Sequence, residues 1–160
     1  MEEIFAQNRS LIIFLHVISG VVWVGGMIAM RYAAHQSFML IADPKQRLEH
    51  IAYALKRLFS IVLPFVVLLF VTAFFMIKGY SLHKIDLNLL AFAKEGIWVV
   101  MLLNLLLMIK RRNSAFEALQ AGEVAVAKGY LEPIGKFMVP LNITLGVVAI
   151  LLGSIFSTSL

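Results

Sequence analysis

His16 lies inside the first apolar stretch, in the run Leu-His-Val-Ile-Ser-Gly-Val-Val-Trp-Val-Gly-Gly-Met, and between residues 11 and 30 no other side chain ionises. An ionisable group at membrane depth is costly to keep there and by default marks a functional site. Imidazole is also the commonest side-chain ligand for metals and a common axial ligand of haem iron. On a helix, positions three, four, seven and ten or eleven residues apart share one face. His16 therefore shares its face with Ser19, Gly20, Trp23, Gly26 and Met27. Small residues on such a face admit a close neighbour, either a second helix or a flat ligand. Two readings follow: a glycine-lined packing seam with a histidine hydrogen-bonded across it, or a face cleared for a macrocycle whose metal His16 holds.

A partner should stand at matching depth, and Lys94 does. His16 is five residues into its stretch, roughly 8 Å along the axis, and Lys94 is seven residues into the third, roughly 10 Å. Glu95 follows directly and points to another side of the helix, so a close pair with Lys94 is awkward. Lys94 shares its face with Trp98 and Met101, and a further small-residue stripe runs through Asn142, Gly146, Ala149 and Gly153. The first, third and fourth stretches would then enclose one flat cavity. A second polar cluster comprises Arg31, His35, His50 and Arg57. Arginine grips carboxylates bidentately, so this set would suit propionates or another anion, or simply fix topology at a membrane edge. His83 reads as an exposed loop residue.

The elements that must position these residues are transmembrane helices. The chain has 160 residues, 61% of them hydrophobic and 14% charged, with a mean hydropathy of +0.92. Soluble domains are nearer half apolar. Four stretches, about 11–32, 58–78, 87–109 and 137–157, are long enough to cross a bilayer. The expectation is an all-α integral membrane protein: a single domain over 1–160, with four transmembrane helices in an antiparallel bundle. Ten of the fourteen Lys and Arg residues fall between the first and second stretches or between the third and fourth. By the positive-inside rule those segments are cytoplasmic and both termini lie outside, in the periplasm if the membrane is a bacterial cytoplasmic (inner) membrane.

The cytoplasmic segments also read as helical. The first helix is predicted to run on to Asp43-Pro44, a helical face over 46–57 leads into the second stretch, and 113–127 is similarly amphipathic. Pro140 falls in the first turn of the fourth stretch. The absence of cysteine excludes disulfides, thiolate metal sites and cysteine nucleophiles. The eight methionines are mostly gap-fillers, with a secondary use as soft ligands. A pI near 9.7 reflects the flanks of the apolar stretches. No pattern for nucleic-acid binding, phosphate loops or hydrolase elbows is present.

The run around His16 resembles the first helix of the HemJ-type protoporphyrinogen oxidases and of the related copper-resistance D-like membrane domains. The resemblance continues in Met30-Arg31-Tyr32-Ala33-Ala34-His35, in Ala93-Lys94 and in Val139-Pro140. It departs from the HemJ pattern at Gly25-Gly26-Met27, at Met30-Arg31 and at Phe137-Met138. The resemblance implies a four-helix bundle binding haem b, with His16 and Lys94 tied to haem and to activity, and Arg31 and His35 matching a further Arg and His. On that basis His16 would be the axial ligand and Lys94 a second ligand or a base. Arg31 would anchor a substrate carboxylate, and Ser19, Gly20, Trp23 and His35 would complete the haem site.

Three function classes follow. The first is a haem b oxidoreductase that oxidises protoporphyrinogen IX and passes electrons to a quinone or another respiratory-chain acceptor. The second is a haem or electron carrier without catalysis. The third is a copper-handling module using His16 and methionines. The small-residue faces would also serve a homo-oligomer.

Overall fold

The computed structural model describes residues 2–79 and 85–158, with side chains over 3–79 and 92–155. The loop expected to carry His83 lies outside the described residues. The first apolar stretch is carried by α1 (Glu2–Ala29), which passes through a π-helical turn (Met30–Ala34) into the short α2 (His35–Phe38). The chain then turns at 39–43. There Asp43 accepts the backbone N–H groups of Lys45 (3.1 Å) and Gln46 (3.4 Å) on its two carboxylate oxygens. Pro44, whose missing N–H costs nothing in a first turn, opens α3 (Pro44–Gly79). The first helical stretch thus ends at Phe38, a turn earlier than the stop expected at Asp43-Pro44, which instead begins the next helix, and the face predicted over 46–57 is the beginning of that one long helix.

The expected helix over 113–127 is instead divided. α4 (Ile85–Gln120) runs on to the turn at 121–123, where Gly122 has a φ of +79°, and α5 (Val124–Pro133) begins beyond it. A left-handed residue at a helix C-terminus is accessible to glycine without a Cβ clash, and Gly122 is what separates the two helices. α5 continues through a second π turn (Ile134–Met138) into α6 (Val139–Thr158). Here Pro140 does not open the helix from a loop. It follows the π turn, in which the Val139 N–H reaches five residues back to the Ile134 carbonyl.

Among the described residues there is no strand, and four helical stretches are long and apolar enough to cross a membrane: Glu3–Phe38, Pro44–Gly79, Phe92–Gln120 and Val124–Ile155. The surface is correspondingly apolar. Phe14, Val17, Val67, Phe70, Leu103, Leu107 and Leu151 are all exposed, as suits side chains that face lipid tails. The chain is a multi-pass membrane protein. Its core is filled by Trp23, Met27, Val62, Leu105, Met108, Leu119 and Ile134.

Close approach between helices relies on glycine. A Cβ on Gly26 would stand 2.9 Å from the Leu58 Cδ1, and one on Gly146 would collide with Val24 and stand 3.3 Å from the Met101 Cε. Buried polar groups add direction. Asn104 Nδ2 donates to the Met138 carbonyl (2.7 Å) and to Asn142 Oδ1 (2.8 Å), while Asn142 Nδ2 donates to the Met101 carbonyl (3.4 Å). Arg112 donates from Nε to the Ala52 carbonyl (2.9 Å) and lies over the Phe116 ring. The asparagines tie α4 to the α5–α6 unit, and Arg112 ties α4 to α3.

The glycine contacts give a direct test. Gly146→Val is expected to lower stability in detergent by about 2 kcal/mol through overpacking against Val24. Gly25→Val, at a position with nothing within 4 Å, should leave the melting temperature nearly unchanged. Equal effects at the two sites would contradict the packing described.

Candidate functional site

His16 is half-buried on α1 and faces α3, where its Nδ1 lies 3.0 Å from the Thr72 hydroxyl oxygen. Thr72 is itself buried, and its hydroxyl is directed one turn back at the carbonyls of Leu68 (2.8 Å) and Leu69 (3.0 Å). A hydroxyl has one proton to give. With that proton committed to a carbonyl, the Thr72 oxygen accepts from His16, which places the imidazole proton on Nδ1. Nε2 then carries the ring's lone pair, and the ring also hydrogen-bonds to the Leu69 backbone. A hydrogen bond at one ring nitrogen sets which tautomer a histidine holds. Thr72 is the site residue that sequence reasoning missed. A threonine in an apolar helix has no distinctive signal, and its pairing with His16 depends on how α1 and α3 lie together.

Lys94 is half-buried on α4 and close enough to His16 for its charge to act on the ring. Its Nζ lies 3.1 Å from where a Cβ on Gly153 would stand, so the glycine of α6 makes the room for the ammonium. Glu95 is exposed, and no carboxylate among the described residues pairs with Lys94. The depth match between His16 and Lys94 thus corresponds to a spatial neighbourhood, with α3 and α6 as its further walls. Two indole N–H groups, those of Trp23 and Trp98, are buried without a partner. Trp98 stacks on Phe70, with ring centroids 5.1 Å apart. Leaving a buried donor unsatisfied costs about 1–3 kcal/mol, and a bilayer offers no water to relieve it.

The small residues do not form one open slot. Ser19 is fully buried and spends its hydroxyl on the Leu15 carbonyl (2.6 Å). Gly26 and Gly146 are taken up by helix contacts, and only Gly20 on the His16 face has nothing within 4 Å. The packing-seam reading is realised at Gly26, while the space beside Gly20 is open. The second polar cluster is not one site with His16. Arg31, half-buried in the first π turn, lies about 22 Å farther along the helix axis, and His35 farther still. His50 Nδ1 lies 2.8 Å from the Gln46 carbonyl, and its ring lies near Phe38, while Arg57 is exposed on α3.

Searches against family models, curated proteins and solved structures find no match for this chain.

The tautomer assignment is testable without any ligand. In detergent-solubilised protein with ring-15N histidine, the His16 nitrogens should report a protonated Nδ1 and an unprotonated Nε2. Thr72→Val should shift the ring towards the other tautomer, and Thr72→Ser should retain the original. A His16 spectrum unmoved by Thr72→Val would remove Thr72 from the site.

Proposed function

We propose that this chain is a haem b-binding membrane oxidoreductase of the kind its first-helix motif resembles, acting on protoporphyrinogen IX. The observation that carries the reading is His16 itself: an imidazole inside an apolar bundle, its Nδ1 3.0 Å from the Thr72 hydroxyl and its ring within reach of the Lys94 charge. No group of three or more His, Cys, Asp or Glu side chains capable of closing around a bare metal ion is found among the described residues. A porphyrin brings four of its own nitrogens, so one or two protein ligands suffice. The donor set therefore fits haem, and the two unpartnered indole N–H groups of Trp23 and Trp98 are available to a polar group bound nearby.

In this reading His16 would hold the haem iron through its imidazole. Lys94 would be a second ligand when its amine is free, or a proton carrier beside the substrate when it is not. Gly20 leaves the approach on the His16 face open. Haem would supply one-electron transfer. Oxidising protoporphyrinogen IX to protoporphyrin IX releases six electrons and six protons, which would reduce three quinones to quinols. Arg31 and His35, a long way down the helix from His16, fit a separate carboxylate-holding role better than direct contact with the same group. The bundle is read as antiparallel, because Phe5 meets Gly79, His16 meets Thr72 and Gly26 meets Leu58 as the numbers run in opposite senses along α1 and α3. Its loops at 39–43 and 121–123 are placed in the cytoplasm by the excess of Lys and Arg around them.

Absorption spectra test the reading. Purified protein should show a Soret band with reducible α and β bands. His16→Ala should lose it, and Lys94→Met should shift it. The wild-type gene should also restore growth without porphyrin accumulation to a strain lacking protoporphyrinogen oxidase. A colourless protein that takes up Cu(I) would replace this reading with copper handling, and a haem protein that fails to complement would leave an electron carrier.

A further inference from the structure

A pocket of about 510 Å³ opens on the outer side of α3, lined by Tyr53, Lys56, Arg57, Ser60 and Ile61. It is remote from His16. Lys56 and Arg57 are the last charged residues before the apolar run that starts at Leu58, so their cations stand where the helix enters the lipid. Both are exposed, and among the described residues neither forms an ion pair. Tyr53 is held by an edge contact with Phe116 of α4, at a centroid distance of 5.4 Å, which leaves its phenol at the rim. The Ser60 hydroxyl donates to the Lys56 carbonyl (2.9 Å). Ile61, 57% exposed, continues the same side of the helix about one turn deeper. Arg112, behind the wall, is committed inward to the Ala52 carbonyl.

Two uncompensated cations at a membrane edge, with a phenol beside them and an apolar track beneath, match the two ends of a phospholipid. We propose that this pocket binds an anionic phospholipid, its phosphate between Lys56 and Arg57 and one acyl chain along Ile61. Basic clusters at the edge of a transmembrane helix attract anionic lipid head groups. The pair also discriminates by charge, because the ammonium of a zwitterionic choline lipid would be set against two like charges. The inference requires only that α3 crosses a membrane and is independent of what His16 binds.

Native mass spectrometry of the detergent-solubilised full chain, titrated with phosphatidylglycerol or phosphatidylcholine, tests it. The wild type should retain phosphatidylglycerol in preference. The double variant Lys56→Ala/Arg57→Ala should bind it at least tenfold more weakly, and Lys56→Gln or Arg57→Gln alone should fall between. Lys45→Ala/Lys128→Ala, the same charge change elsewhere, should leave binding unaltered. Inorganic phosphate should displace the lipid no better than chloride at equal ionic strength. Unchanged phosphatidylglycerol binding in the double variant, equal retention of phosphatidylcholine, or selective displacement by inorganic phosphate would each overturn the assignment.

Discussion

Inside a bilayer no solvent completes a missing hydrogen bond, so every polar atom in the bundle must find a partner within the protein or in something bound to it. The hydrogen-bond relay from His16 to Thr72 to the carbonyls of Leu68 and Leu69 is where that constraint has the most consequence. Each bond in it uses a donor that has one proton and an acceptor with a lone pair to spare. The chain of commitments ends at His16, whose Nε2 carries the ring's lone pair.

The same constraint explains how the helices are joined. Lipid tails are as apolar as leucine side chains, so burying leucine between helices gains little, and close backbone approach and interhelical hydrogen bonds carry the specificity. Gly26 and Gly146 supply the approach, and the Asn104–Asn142 pair and Arg112 supply the bonds. These contacts set the relative positions of α1, α3, α4 and α6. They thereby decide that Thr72 meets His16 and that Lys94 lies against Gly153. The two π turns, near the end of the first span and the start of the last apolar helix, contain Arg31 and Lys136 respectively. Lys136 is paired with Glu132 one turn back.

Much of this was legible in the amino-acid sequence. The four spans follow from long apolar runs, the break near Asp43 from an acidic cap followed by proline, and the importance of His16 from its isolation among aliphatic residues. The shared depth of His16 and Lys94 followed from counting residues along two helices. What could not be read is whatever depends on the rotation of one helix against another. Thr72 looks like any weakly polar residue in a span. Asn104 and Arg112 give no hint, in one dimension, of the carbonyls they reach. The glycines show the same limit: their spacing predicts close approach, but only the packed bundle shows that Leu58 fills the space at Gly26 while Gly20 stays open. The division of 113–127 at Gly122 was missed because amphipathic spacing continued across the break.

The central proposal is that His16 binds haem through Nε2, with Thr72 fixing the tautomer of the ring. It is tested most directly by removing the imidazole and returning it as a free molecule. Protein carrying His16→Gly should fail to hold haem b through purification, and millimolar imidazole should restore the Soret band by occupying the space the ring has left. Haem binding by His16→Gly that equals wild type without imidazole would contradict the account.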